Sequence, residues 1–195
     1  MKITTAENLI RDYLVKLQTV LAESNWEPVE LLSQDVLECW KEKRQIFLCG
    51  NGGSAGNAIH LANDFIYGVA KQTGRGLRVN ALTANPAIIT CLANDVGYDS
   101  IFSEQLAVLA NSGDLLIVLS GSGNSKNIIQ VIKQAKKIGV KSYGILGFSG
   151  GLCKEMVDVP IHFNIDDMQI AEDLQLVVGH MIMKWIHLNL AEKLS

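Results

Sequence analysis

Apolar residues recur with a helical period along the first part of the chain. Between about residues 6 and 23 they fall three or four positions apart, with charged residues on the other side, which predicts an amphipathic helix. A second helix is predicted to begin near Pro28, because proline suits the first helical position, and to end at residues 41–44. The two helices predict an N-terminal hairpin over residues 1–44, with a role in oligomerisation.

From residue 45 the pattern changes to short apolar runs, each followed by glycine, serine or asparagine and then by a helical segment. Near-continuous apolar strands that alternate with helices predict a parallel sheet covered on both faces. Residues 45–195 are therefore predicted to form one α/β domain that includes the C-terminal helix. The predicted strands are Ile46–Cys49, Leu77–Leu82, Leu115–Leu119, Ser142–Gly147 and Val157–Phe163.

The segment from about residue 167 to residue 192 is apolar on nearly every side, which predicts a helix buried all round. The whole chain is also apolar, with 48% hydrophobic and only 19% charged residues among 195. Its best apolar run, Leu176–Met183, is much shorter than the roughly 18 residues that a membrane-spanning helix needs. We therefore expect the excess apolar surface to be buried by contact with further copies of the chain rather than with lipid.

The charge and the cysteines exclude several classes of protein. With 17 Lys+Arg against 20 Asp+Glu, the net charge is -3, which disfavours direct binding to nucleic acid or to a membrane through a basic surface. No apolar signal segment is visible at the N-terminus, so a cytoplasmic location is expected. Because no C-x-x-C pair occurs, a disulfide framework and a thiolate zinc site are not indicated, and reduced core residues are expected at Cys39, Cys49, Cys91 and Cys153.

A glycine-rich loop, residues 50–56, directly follows the first predicted strand. In open α/β sheets ligands gather beyond the carboxyl ends of the strands, where helix N-termini present unpaired N–H groups. The glycines let the backbone approach a ligand closely, while Asn51 and Ser54 add polar side chains. The glycine spacing matches a dinucleotide-binding fingerprint, but the next predicted strand does not end in the acidic residue that fingerprint requires. A nicotinamide or flavin site is therefore disfavoured.

A second loop, residues 120–125, follows the third predicted strand and carries three serines among glycines. Three hydroxyl groups and a glycine-containing backbone at the start of a helix can bind a phosphate monoester. The Gly-Lys-Ser/Thr of a nucleoside-triphosphatase loop does not follow. An ordinary turn in which Ser125 caps the next helix is the alternative interpretation.

Two pairs of polar residues are candidates for metal ligands. His60 and Asp64 lie four positions apart, hence on one face of a predicted helix, and an imidazole with a carboxylate suits Zn²⁺ or a similar ion. The alternative is a partly buried histidine beside a solvated aspartate. Glu172 and His180 interrupt the apolar C-terminal segment, where burial is costly unless they are paired or bound to a metal. Along one unbroken helix these two lie about 12 Å apart.

Several stretches occur in an order that is typical of one family. They are Cys49–Ala55, Ala58–Ala62, Leu92–Tyr98, Ile101–Ser103, Gly113–Leu115, Ser122–Ser125 and His180. With them the chain resembles the sugar isomerase (SIS) domain family, and within it the bacterial phosphoheptose isomerases, which convert sedoheptulose 7-phosphate to D-glycero-D-manno-heptose 7-phosphate. The resemblance implies a five-stranded parallel sheet flanked by helices, a homotetramer whose core is made by terminal helices, and active sites at subunit interfaces.

The resemblance also implies roles for individual residues. Aldose–ketose isomerisation needs a base and an acid, and we assign Asp64 and His180 to proton transfer at the two neighbouring carbons of the sugar. One Zn²⁺ per subunit would be held by His60, Asp64, Glu172 and His180. The implied substrate contacts are Asn51, Gly52, Gly53, Ser54, Asn94, Asp95, Ser120, Gly121, Ser122, Ser125 and Glu172.

Five positions depart from the residues usual in the family, and for that reason the sequence does not assign the exact sugar. They are Asp64, Gly68, Gly121, Gln169 and Glu172. Two alternatives share the same fold: a non-catalytic tetramer that binds the replication initiator, and a sugar-phosphate sensor.

Overall fold

The computed structural model describes residues 5–191 of the chain. Residues 1–4 and 192–195, which hold the outer ends of both predicted domains and the last residue of the predicted C-terminal helix, lie outside the described residues. The strands are β1 (Gln45–Cys49), β2 (Arg78–Ala81), β3 (Leu115–Ser120), β4 (Lys141–Leu146) and β5 (Val159–His162). The helices are α1 (Ala6–Glu23), α2 (Glu27–Glu42), α3 (Gly53–Asn63), α4 (Val69–Thr73), α5 (Pro86–Asp95), α6 (Ser103–Leu109), α7 (Lys126–Ile138), α8 (Gly151–Met156) and α9 (Met168–Ala191), with a π-helix at Asp64–Gly68 and a 3-10 turn at Tyr98–Ser100.

The five strands form one parallel sheet in the order β2-β1-β3-β4-β5, which confirms the predicted fold class. The ends of the strands differ from the predicted ones by at most two residues. Alternate residues of each central strand enter two separate cores: Ile46 packs beneath α2, α3 and α9, whereas Phe47 packs beneath α5, α6, α7 and α8. Both faces are therefore covered, as near-continuous apolar strands require.

Both predicted N-terminal helices are present, and they begin where local capping favours it. The hydroxyl of Thr5 accepts a hydrogen bond from the Asn8 N–H at the start of α1, and Pro28 lies in the first turn of α2. The inner side of α1 packs on the core below α9 through Tyr13, Leu17, Val20 and Leu21. The outer side of α1 is apolar but exposed, at Leu9, Ile10, Leu14 and Val15.

The C-terminal segment is a helix as predicted, but within one chain it is not buried all round. One stripe of α9, which includes Leu174, Val178 and Ile182, is buried against the core. On other sides Met181 is 45% exposed and Leu188 is 69% exposed. Within one chain α2, α3, α4 and the sheet pack against α9 and leave these sides uncovered. Burial all round therefore stays a prediction that depends on contact with further copies of the chain.

Helices α3 and α9 lie side by side and run in the same direction. Gly179 of α9 faces Leu61 of α3 so closely that a Cβ atom at position 179 would collide with the leucine side chain. Nearer the start of both helices, buried Gln175 donates a hydrogen bond from Nε2 to the Ser54 hydroxyl and accepts one at Oε1 from Asn57. This close approach fixes the register between the two helices.

In the described part of the chain, no helix combines the length and the apolar character that crossing a membrane requires.

The cysteines of the described residues are free thiols, and Cys39, Cys49 and Cys153 are buried. Burial raises the pKa of the Cys153 thiol to about 11. Cys91 is exposed on α5, so its assignment to the core is wrong. The face of α5 that carries Cys91 is exposed to solvent, and the Cys91 thiol donates a hydrogen bond to the Asp95 carboxylate.

We expect Gly179→Val to lower the free energy of unfolding by about 1–3 kcal/mol, as overpacking of a filled core does. Chemical denaturation measures this change. The matched control is Gly56→Ala, because a Cβ at that position of α3 meets no atom within 4 Å. Alanine there is expected to be neutral or to stabilise the helix by up to about 1 kcal/mol. Equal stabilities for the two variants would contradict a tight contact at Gly179.

Candidate functional site

The two loops that the sequence singles out meet at one edge of the sheet. The first follows β1 and the second follows β3; these strands are neighbours, and β2 lies on the far side of β1. The chain connections diverge at this point, which is where open α/β sheets place their ligands. Together with two residues of α9, the loops surround a cavity of about 270 Å³. Its lining comprises Asn51, Gly52, Gly53, Ser54, Leu119, Ser120, Gly121, Ser122, Ser125, Met168 and Glu172.

The serines of the second loop are arranged as hydrogen-bond donors. The Ser120 hydroxyl oxygen accepts from the Gly123 N–H at 3.0 Å, and the Ser122 oxygen accepts from the Asn124 N–H at 3.3 Å. Each hydroxyl hydrogen is thus available to a ligand. Ser125 occupies the N-cap of the 13-residue helix α7 but makes no side-chain capping bond. That observation favours an anion site over an ordinary helix cap.

Glu172 is the charged residue of the cavity lining. Its carboxylate lies directly over Gly53, so closely that any larger residue there would collide with it. Gly53 begins α3, and a carboxylate is stabilised by the unpaired N–H groups of a first helical turn. The same carboxylate repels a second anion in the cavity, so the two helix N-termini have to compensate for it.

A second cluster, which we call the His–Asp–His triad, consists of His60, Asp64 and His180. The Nε2 atoms of the two histidines lie 3.0 Å apart. The Asp64 Oδ2 atom lies 3.4 Å from Nε2 of His60 and 3.3 Å from Nε2 of His180. The two imidazoles are nearly half exposed, with side-chain exposures of 49% and 43%, whereas that of Asp64 is 18%. All three side chains therefore turn one ligand atom toward a common, solvent-accessible point.

Asp64 stands at the start of the π-helix, where the backbone is wider than in an α-helix. Such single turns leave carbonyl groups that need partners from elsewhere. The Leu77 N–H donates to the Phe65 carbonyl at 3.0 Å, and Nε2 of His187 donates to the Gly68 carbonyl at 2.9 Å. His187, for which the sequence offers no partner, thus supports the turn that carries a triad residue.

The triad fits a divalent metal ion. Its ligand atoms are two imidazole nitrogens and one carboxylate oxygen, and all lie within 4.8 Å of one another. Three such ligands with an open fourth position are typical of catalytic zinc sites. Glu172 is not part of the triad, since its carboxylate lies over the start of α3, about eight residues before His180 on α9. Its role as a fourth ligand stays a prediction, which requires the carboxylate to leave Gly53.

Two other predicted contact residues lie outside the cavity lining. Asn94 and Asp95 end α5 and are exposed, and the Asn94 side chain donates to the Asp95 carboxylate at 2.7 Å. Their predicted contact with substrate stays a prediction.

Sequence reasoning missed several polar residues that support the site. Gln175 links α9 to Ser54, and Asn127, which is 1% exposed, bonds to Asn51. A polar residue between apolar neighbours is the signal for Gln175. Asn127 follows a serine-rich turn, where an asparagine is unremarkable, so its burial is visible only in three dimensions.

This chain is similar to a known domain family and to several phosphoheptose isomerases. A family model described as SIS domain matches residues 11–147. A phosphoheptose isomerase of Aliarcobacter butzleri is 37% identical over 180 residues, covering 91% of this chain and 95% of that protein. A phosphoheptose isomerase of Clostridium acetobutylicum is 32% identical over 177 residues, covering 90% of each. The solved structure of a phosphoheptose isomerase from Neisseria gonorrhoeae is 28% identical, with a TM-score of 0.84 over 93% of this chain and 98% of that one.

We expect the purified protein to bind Zn²⁺ through the triad, measured by calorimetric titration after removal of bound metal. His180→Ala is expected to weaken binding by more than about 100-fold, beyond the 10–100-fold effect of residues that only support a ligand. The matched control is His162→Gln, since this histidine bonds to the Phe148 carbonyl outside the triad. Equal affinities of the two variants would contradict a metal site here.

Proposed function

The chain belongs to the SIS domain family, and from this premise we propose a substrate and a chemistry for its site. It is an isomerase that acts on phosphorylated sugars. We propose sedoheptulose 7-phosphate as the substrate and D-glycero-D-manno-heptose 7-phosphate as the product. The reaction moves a carbonyl group between neighbouring carbons of the open-chain sugar.

One observation carries this proposal: the α3–α9 pair holds an anion cavity at one end and the triad at the other. Gly53 borders the cavity and His60 belongs to the triad, and seven helical residues span about 10 Å. A single substrate reaches both only if it is extended, with its phosphate at one end and its reacting carbons at the other. That separation favours a long sugar phosphate such as a heptose over a triose.

At the cavity end, neutral donors bind the phosphate. Ser120, Ser122 and Ser125 offer hydroxyl groups, and the first turn of α7 offers unpaired N–H groups. No step of the reaction takes place at these groups. Their function is to hold the far end of the substrate, which keeps the reacting carbons in register with the triad.

At the triad, Asp64 and His180 transfer the proton. Oδ2 of Asp64 lies near both imidazoles, whereas Oδ1 accepts a long, 3.4 Å hydrogen bond from Asn63. The two oxygens can thus act separately, Oδ2 as a metal ligand and Oδ1 as a base that takes a proton from carbon. In the resulting enediolate the hydroxyl proton moves from the first oxygen to the second. His180, protonated while its ring nitrogen is not bound to an ion, gives a proton to the neighbouring carbon, and solvent carries the proton on Asp64 back to His180. His60, Asp64 and His180 would hold a divalent ion, which would supply Lewis acidity for the negative charge that develops on the sugar oxygens.

These converging groups favour an enzyme over the two non-catalytic alternatives. A scaffold that binds the replication initiator has no use for two imidazoles and a carboxylate aimed at one point, and a sensor would bind the sugar without converting it. The expected cytoplasmic location stays a prediction.

We also propose that the chain forms a homotetramer through its N-terminal hairpin, residues 1–44, and α9. The outer side of α1 is more than half exposed at Leu9, Ile10, Leu14 and Val15, although all four are large apolar residues. Between α2 and α9 lies an open depression that Trp26 and Trp185 help to line. A second copy on these surfaces buries them and also covers the half-exposed histidines of the triad.

We expect the protein to convert sedoheptulose 7-phosphate to the aldose, followed by NMR, and a chelator to abolish the conversion. Asp64→Asn is expected to lower turnover by about 10²–10⁴-fold, as loss of a general base does. Turnover within about tenfold of the parent, equivalent to about 1.4 kcal/mol, would rule out Asp64 as the base. No conversion of any six- or seven-carbon sugar phosphate in the presence of Zn²⁺ would overturn the proposed function.

We expect light scattering to give a mass about four times the 21.3 kDa of one chain. Leu14→Glu is expected to give smaller species, because it places a charge on the exposed apolar side of α1. The matched control is Val108→Glu on α6, where the side chain is 84% exposed and outside the proposed interface. A monomer with full activity would contradict both the tetramer and a shared site.

A further inference from the structure

Three side chains from separate elements meet at the edge of the cavity. Asn51 follows β1, Asn127 lies in the first turn of α7, and Tyr98 begins the 3-10 turn after α5. The two asparagines form a reciprocal pair: Nδ2 of Asn51 donates to Oδ1 of Asn127 at 2.9 Å, and Nδ2 of Asn127 donates to Oδ1 of Asn51 at 2.8 Å. The Tyr98 hydroxyl donates to the same Asn51 oxygen at 3.0 Å.

A backbone group determines the orientation of this network. The Ile128 N–H, which can only donate, bonds to Oδ1 of Asn127 at 2.9 Å. That bond identifies the oxygen of the Asn127 amide, so the other end of this amide is the NH₂ group, which faces Asn51. Asn127 is 1% exposed, so its end of the pair is shielded from water. The orientation of the Asn51 amide is therefore set by the helix that follows the serine loop.

The Asn51 side chain keeps one hydrogen-bond donor, and no acceptor, for a ligand. Its oxygen has two lone pairs, and Asn127 and Tyr98 occupy both. Its nitrogen carries two hydrogens, of which Asn127 takes one. Among residues 5–191 the second hydrogen meets no acceptor, and Asn51 lines the cavity. Asn51 thus offers the cavity a single N–H group and no acceptor.

We propose that Asn127 and Tyr98 are positioning residues that make Asn51 a donor-only contact for an oxygen atom of the bound sugar phosphate. This inference rests on the proposed function, because it needs that ligand in the cavity. A neutral donor suits the site, since Glu172 already supplies a negative charge and the ligand brings more. The asparagine pair also joins the loop after β1 to the loop after β3, so the two ligand-binding loops keep their relative position.

Tyr98 offers the cleaner test, because Tyr98→Phe removes only the hydroxyl of a side chain that is 56% exposed. We measure the affinity for sedoheptulose 7-phosphate by titration, together with KM and kcat, in four proteins: the parent, Tyr98→Phe, Asn51→Ala and the double variant. Tyr98→Phe is expected to weaken binding three- to tenfold and to raise KM more than it lowers kcat. In the Asn51→Ala background the same change is expected to have less than a twofold effect, because Tyr98 acts through Asn51.

A matched control separates positioning from stability. Tyr143→Phe also removes a tyrosine hydroxyl bond, the one to Asp35, but far from the cavity on β4. It is expected to lower the melting temperature without changing the affinity or KM. The inference is overturned if Tyr98→Phe binds as tightly as the parent, or if its effect is equal in both backgrounds. If the parent protein itself neither binds nor converts the sugar phosphate, the proposed function fails and this inference fails with it.

Discussion

The close contact between α3 and α9 determines where the functional groups of this protein lie. At Gly179 the absence of a side chain lets the two helices approach until Leu61 touches the α9 backbone. His60 and His180 are the chain neighbours of this contact pair, so their imidazoles meet as a consequence of the packing. The same parallel register places Glu172 over the start of α3, and buried Gln175 adds a polar link between these two contacts. A helix pair held further apart would keep the fold but would separate the groups that form the site.

The register of α3 and α9 also places the negative charge of Glu172 in the lining of the cavity. An anion that enters it meets the carboxylate of Glu172, and the other residues of its lining are neutral. Attraction therefore has to come from groups without a formal charge: the serine hydroxyls, the Asn51 amide and the N-termini of α3 and α7. Such donors recognise shape and direction more than charge. The proposed preference for a phosphate on an extended sugar, rather than for any anion, would follow from such donors.

The parts of the structure that depend on local pattern were predictable from the sequence, and those that depend on packing were not. Alternating apolar runs and turn residues predicted the sheet and both ligand loops, and a spacing of four predicted the proximity of His60 and Asp64. The pattern of α9 also indicated apolar surface in excess, but it did not distinguish the stripe that this chain buries from the surface it leaves exposed. The position of Glu172 depends on the helix register, and the burial of Asn127 depends on a contact with a loop 76 residues earlier in the chain. The exposure of Cys91 follows from which face of α5 meets the sheet.

The π-helix at Asp64–Gly68 has one more residue per turn than the α-helices that flank it. The added residue changes the angular phase of the helix that follows by roughly 100°. The segment before the π-helix presents His60 to α9, and the last residue of the π-helix, Gly68, meets α9 through a hydrogen bond from His187. Asp64 precedes the change of phase, so its carboxylate keeps the α-helical spacing of four from His60, and the effect of the extra residue falls on the chain after it, where α4 packs against α9.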